Sequence, residues 1–348
     1  MAALATIVVA FAAFAASAAA RPAPEGVVVE GLSDPRGIDA ITNRAMLVAE
    51  SGSGSITLVQ QKRKGGARVS TFASFPVDPE GGGPVDVASK GLRKTWVLAA
   101  GNLVRLDRKG RVNLTVDIPA YQEGDPDPDD LEGLPEESNP NGLALLRGGG
   151  VLVADAAGND LLLLDKGKSL STVARFKPEL VPWPAGLPFG PPPGTPEPAE
   201  PVPTAVAIGP DGAWYVSELK GFPFVKGTSR IWRVEPGSTN AVCDPESPDT
   251  GPCRTVATGF TSVIDLGFGP DGTMYVLEIA KESLLGVEFF GAPPIGALWA
   301  VEGGTKTELA EGELLAPGGV DAGPNGSLVV TTGTVFGPGA GGVVRIDP

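Results

Sequence analysis

Carboxylates recur at one place in a repeated pattern along this chain, and they are its main resource for chemistry. Glu50, Asp155, Glu218 and Glu278 each close a short apolar run: Met46-Leu-Val-Ala-Glu50, Val151-Leu-Val-Ala-Asp155, Trp214-Tyr-Val-Ser-Glu218 and Met274-Tyr-Val-Leu-Glu278. Polar residues on the preceding runs accompany them, namely Arg36, Asn139, Asn141, Thr204 and Asp265. Such a ring of carboxylate and amide oxygens could hold one Ca²⁺, because hard cations take oxygen donors; Glu50, Asp155, Glu218 and Glu278 would be its ligands. In the competing reading the acids cap strand ends, accepting bonds from backbone N–H groups in the following loop. The sequence contains no histidine. That excludes any Ser-His-Asp or Cys-His nucleophile, any histidine zinc site and any imidazole base. No phosphate loop or nucleotide fingerprint occurs either.

The elements that must position these acids are legible as a repeat. Six segments fit one ruler of an apolar run, a tight turn and a second apolar run, with 14 positions from first residue to last. They begin at Arg36, Asp86, Asn141, Thr204, Ile264 and Gly318. Three of the turns read Gly209-Pro-Asp-Gly212, Gly269-Pro-Asp-Gly272 and Gly323-Pro-Asn-Gly326, where Pro presets φ and Gly supplies φ > 0. A third apolar run follows in every copy, and a fourth in five of six: Arg68–Ser74, Val112–Ile118, Ser171–Phe176, Arg254–Gly259 and Thr305–Glu311. Four antiparallel strands repeated radially make a propeller blade. The last copy lacks its fourth strand, and Gly26-Val-Val-Val-Glu30 stands unused before the first. Pairing the two would close the ring and remove its open edges. The expected fold is all-β: a six-bladed β-propeller closed by strand 26–30, forming one domain over residues 21–348.

Residues 3–20 are uncharged and end in Ala18-Ala19-Ala20, so residues 1–20 read as a secretory signal peptide and the product as secreted. A retained membrane anchor is the alternative. In an exported protein Cys243 and Cys253, the only cysteines, read as a local disulfide. The formal charge of −14 disfavours nucleic acid and anionic membranes as partners.

Four stretches carry a resemblance to a known family: Gly31-Leu-Ser-Asp-Pro-Arg-Gly37, the run ending at Glu50, the loop 243–253 and the block 261–278. Together they resemble the ScyD/ScyE family, exported propellers of the wider NHL and strictosidine-synthase-like group. The resemblance implies a secreted six-bladed propeller and carries over no reaction.

Inserted length is lopsided. Nearly all of the added length, in the connections 119–138, 177–203, 219–229, 279–296 and 333–342, falls on one face of such a propeller. Loops on a rigid scaffold carry function, so that face is the expected binding face, for an unknown small molecule or protein. The acidic run from Glu123 to Glu137 reads as a solvated loop. The stretch 178–203, with 11 prolines in 26 residues, reads as a polyproline-like connector. The leading functional expectation is a secreted binding or scaffold protein without catalysis. The alternative is a Ca²⁺-dependent hydrolase, lactonase- or phosphotriesterase-like, with the metal at the central channel and Asp155 or Asp265 as base.

Overall fold

A computed structural model describes residues 26–78, 82–166 and 169–348. The expected leader, residues 1–20, lies outside them. Six four-stranded antiparallel blades, with strands a to d from the channel outward, form the ring. Blade 1 comprises Pro35–Thr42, Ala45–Glu50, Ser55–Gln61 and Ala67–Ser74; blade 2 comprises Pro84–Ser89, Thr95–Ala99, Asn102–Leu106 and Val112–Asp117. Blade 3 uses Pro140–Leu145, Val151–Asp155, Asp160–Asp165 and Ser169–Phe176. Blade 4 uses Pro203–Ile208, Trp214–Glu218, Ser229–Val234 and Cys253–Phe260. Blade 5 uses Val263–Phe268, Met274–Glu278, Ala297–Glu302 and Thr305–Leu309. Blade 6 holds Val320–Ala322, Leu328–Thr332 and Gly341–Ile346, and the N-terminal strand Val27–Leu32 completes it, with Val27 opposite Val344. The ring therefore closes as expected.

Burial explains the strand compositions. The b strands lie between neighbouring blades, so both their faces are covered and they read as unbroken apolar runs; Val151–Asp155 is buried at every position. The d strands form the outer wall and expose alternate residues, as in Val112–Asp117. Between blades, side chains from both pack into shared clusters, such as Leu152, Val173, Trp214 and Trp232 between blades 3 and 4. Trp96, Trp214 and Trp232 are core residues, and Trp299 packs half-buried against the cluster of Ile231, Phe260 and Val276 between blades 4 and 5. In the Gly-Pro-Asp-Gly turns, Gly212 and Gly272 adopt φ of +80° and +94°.

Three details differ from the sequence reading. In blade 2 Pro84 stands opposite Ala99, so the repeat there begins one residue earlier, at Val85 rather than Asp86. Blade 3 gains a fifth strand, Ala241–Cys243, which pairs parallel with Ser169–Phe176. The Cys243–Cys253 disulfide joins that strand to the d strand of blade 4. Residues 178–203 are not a bare polyproline connector. Glu179–Pro182 and Pro196–Ala199 pair as a short antiparallel hairpin, with Trp183 N–H donating to Thr195 O at 2.8 Å. Proline is tolerated there because a two-stranded ribbon has only edges.

Candidate functional site

The five connections 119–138, 177–203, 219–229, 279–296 and 333–342 project from one face, where the a strands begin and the b strands end, while one long c–d connection, 235–252 of blade 4, lies on the other. The four repeat acids end there, all of them buried, and three stay within their own blade and its preceding loop. Glu50 Oε2 accepts from Ser33 N–H at 2.8 Å, and its other oxygen accepts from the Thr57 hydroxyl. Asp155 accepts from Asn139 N–H at 2.6 Å and from Ser138 Oγ at 2.7 Å. Glu278 accepts from Thr261 N–H at 2.7 Å, and burial pushes its carboxyl up to about 7. Most of the N–H donors belong to the loop before strand a; the expected bond from the loop after strand b forms only at Asp155, which also accepts from Gly158 N–H at 3.3 Å. The side chain turns back across the blade, because the acid stands opposite the first residue of strand a: Pro35, Pro140 and Val263. These carboxylates are spent on their own loops and do not fit a shared ion. Among the described residues no group of three or more Cys, His, Asp or Glu is arranged to hold a metal.

Glu218 occupies the equivalent place in blade 4 but meets charged partners. Its Oε2 lies 2.9 Å from Lys220 Nζ and 3.5 Å from Arg230 Nε, and its other oxygen accepts from Trp232 Nε1. Glu179, on the proline-rich hairpin, completes the group: it pairs with Arg230 and lies 3.3 Å from Lys220 Nζ. Lys220 is 1% exposed and sits at φ +75°, a strained conformation for a non-glycine residue that its ion pairs hold in place. Two acids and two bases thus clamp the hairpin to the rim. Above them Trp183, Phe189, Phe222 and Phe289 form a chain of ring contacts with centroids 5.6–6.3 Å apart. Phe189, Phe289 and Phe290 remain 46–51% exposed.

The channel holds a second set of acids, of which sequence reasoning found only Asp265. Asp39, Asp86, Asp265 and Asp321 all lie on a strands and bridge neighbouring blades. Asp86 accepts from Leu143 N–H, Asp265 from Val320 N–H and Asp321 from Ala40 N–H, each at 2.7 Å, while Asp39 accepts from Ser89 Oγ at 2.5 Å. Asn141 Nδ2 to Thr204 O (3.0 Å) and Thr204 Oγ1 to Val263 O (2.9 Å) span the two remaining junctions. Every one of the six junctions is therefore crossed by an inner-strand side chain. Small residues allow this approach: a Cβ at Gly142 would lie 2.6 Å from Ala205 Cα. Burial pushes Asp39 and Asp265 up to about 7 and Asp321 to about 6. Asp86 rises well above the carboxylate range, through burial and the charge of Asp265 on the opposite blade. Arg36 stands at the mouth of the channel, one residue into strand a of blade 1. Its guanidinium has no hydrogen-bond or ion-pair partner among the described residues, and burial lowers its pKa. The missed acids carried a signal: an Asp after a β-branched residue recurs in four a strands, as Ile38-Asp39, Val85-Asp86, Ile264-Asp265 and Val320-Asp321.

Of the sequence-predicted residues, the structure thus places Asp265, Asn141, Thr204 and Arg36 on the inner strands. It places Glu50, Asp155 and Glu278 in caps, with Asn139 donating the backbone bond to Asp155, and Glu218 in the ion group. Two residues of the acidic run also turn inward: Asp125 pairs with Arg175, and Asp127 accepts from Asn159 Nδ2 at 3.0 Å.

No family model matches the sequence, and no curated protein is significantly similar to it. Solved structures are similar in fold. A PQQ-bound aldose sugar dehydrogenase from Streptomyces coelicolor aligns at TM-score 0.56 and 17% identity, over 94% of this chain and 99% of that one. A putative oxidoreductase (glucose dehydrogenase) from Thermus thermophilus aligns at 0.54 and 21%, over 92% and 98%. A gluconolactonase from Xanthomonas campestris aligns at 0.54 and 12%, over 92% and 89%. At these identities the likeness establishes the propeller fold.

Proposed function

We propose that the chain is a hydrolase of small lactones or esters that works in its central channel without using the four rim acids as metal ligands. One observation carries this reading. Asp86 feels the charge of Asp265 across the channel, and both carboxyls are raised well above the usual carboxylate range. They lie below the Arg36 guanidinium, which has no hydrogen-bond or ion-pair partner among the described residues and feels only the charge of Asp34. A carboxyl titrating near 7 suits general-base work at neutral pH, and two like acids in one space share out the acid and base forms. Arg36 would polarise the substrate carbonyl and Asp265 would take the proton of the attacking water. Lactone chemistry on a similar propeller, the gluconolactonase above, supports the substrate class by analogy of fold. The likeness of the sequence to the exported ScyD/ScyE propellers belongs to the same reading and favours an activity outside the cytoplasm.

Hydrolysis of a lactone and aryl-ester panel tests this. kcat/KM should rise with pH through about 7, and Asp265→Asn should lower it by about 10²–10⁴-fold. The loss of one of its two backbone acceptors, for Leu266 or Val320 N–H, should lower Tm by a few degrees. No turnover across the panel, or turnover indifferent to Asp265→Asn, rejects the reading. A second reading, partner binding by the loop-rich face, is favoured by the exposed Phe189, Phe289 and Phe290. Pull-down by the chain that is lost in Phe189→Ser with Phe289→Ser, in a catalytically silent protein, would establish it instead.

A further inference from the structure

The net charge of −14 conceals a segregation that only the fold reveals. The a–b and c–d turns all lie on the face opposite the long loops. On blades 1 to 3 five of these turns, 43–44, 62–66, 90–94, 107–111 and 146–150, hold eleven Lys and Arg against one acid, Asp107. All eleven are exposed, and among the described residues only Arg111 of them forms an ion pair, with Asp107. The turns of blades 4 to 6, 209–213, 235–252 and 269–273, hold six acids and no Lys or Arg. Across the molecule, the rim loop 119–138 holds eight acids and no base.

Blades are radial neighbours, so the five basic turns form one continuous sector. Lys90 Nζ crosses from blade 2 to Leu146 O of blade 3 at 3.0 Å. Arg44 and Arg63 of blade 1 share an open pocket with Arg345 of blade 6. Unpaired cations crowded together repel one another, and a chain this acidic has carboxylates to spare for neutralising them. The sector is left uncompensated, as a surface that meets an external polyanion would be.

We infer that the basic turn sector of blades 1 to 3 docks the protein on an anionic lipid surface. Two further features select a bilayer over a soluble polyanion. The N-terminal strand enters blade 6 from this same face, with Gly26 O accepting from Arg345 N–H at 2.9 Å. The chain therefore joins the propeller on its basic side, next to blade 1, so the uncharged residues 3–20, where they are kept as the alternative anchor, lead into that side. Val69 and Val112, beside the turns of blades 1 and 2, are 48% and 55% exposed and would meet the headgroup region. Docked this way, the channel mouth and the acidic rim face away from the membrane.

The test uses the full chain and vesicles of phosphatidylcholine alone or with phosphatidylglycerol, at low and high salt. Juxtamembrane basic residues each strengthen binding to anionic lipid severalfold. Arg63→Gln, Lys64→Gln, Arg108→Gln and Lys109→Gln together should therefore weaken partitioning onto phosphatidylglycerol vesicles by about 100-fold or more at low salt. The four lie at exposed turn tips, so Tm should hold, and Lys226→Gln on the opposite face should bind as the parent does. Binding through residues 3–20 alone would be equal on both lipids and insensitive to salt, and that result overturns the proposal. Capture by heparin or duplex DNA without binding to phosphatidylglycerol vesicles overturns it too, assigning the sector to a soluble polyanion.

Discussion

Glu50 and Glu218 hold the same position in the repeat, each opposite the proline that opens strand a, and do different work. Glu50 satisfies a backbone N–H of its own loop and one hydroxyl. Glu218 instead neutralises two buried cations, which also pair with Glu179 of the proline-rich hairpin. The difference lies outside the repeat. The connection after Glu218 supplies Lys220, strand c supplies Arg230, and the proline-rich insertion supplies Glu179. A recurring geometry thus offers a buried carboxylate at each of these rim positions, and the neighbouring loop decides what it binds.

Several changes would break or sharpen this contrast. Glu218→Ala strands Lys220 and Arg230 with a single partner, and should cost ~3–5 kcal/mol in urea unfolding. Glu50→Ala forfeits ordinary hydrogen bonds and should cost about 1–2 kcal/mol. Equal losses would mean that the ion group is no more than a cap. Replacing Glu179, Glu218, Lys220 and Arg230 together by Gln, Leu, Met and Met should recover much of the first loss, because it removes the stranded charges along with both of their partners.

The pH response comes next in size. Glu278, Asp39, Asp265 and Asp321 all have folded pKa values raised above those of the unfolded chain. Between about pH 4 and 7 the folded state holds more protons than the unfolded, so stability falls as pH rises across that window. Tm should therefore be higher near pH 5 than near pH 8, and Glu278→Gln should flatten part of the slope. A Tm that climbs toward pH 8 would contradict the burial assigned to these acids. The smallest effect belongs to the junction bonds: Asn141→Ala removes one crossing between blades 3 and 4 and should cost about 1 kcal/mol.

Much of the fold was legible in the residues because its cause is local. Alternation, turn chemistry and a fixed spacing are short-range properties, and six copies reinforce one another, down to the unpaired strand before Pro35 that completes blade 6. The slip at Asp86 arose where the acid closing strand b is absent and Ala99 replaces it. Cys243 and Cys253 were also readable, since a separation of ten positions and the lack of any other cysteine leave them no choice of partner.

The site was less legible, because it depends on which residues from distant copies meet. The a-strand acids Asp39, Asp86 and Asp321 look like ordinary polar interruptions until the ring closes and places their carboxylates against the next blade. The ion group joins positions 179, 218, 220 and 230, and nothing in their spacing marks them as partners. The same holds for charge. Composition establishes the sum of −14, while the sorting of cations and acids onto different sectors follows from which turns share a face. By itself the sequence determined the blade, its turns and the number of copies, because those are set by neighbours along the chain. The tertiary structure alone decided what each buried acid touches and where the charges gather, because those are set by neighbours in space.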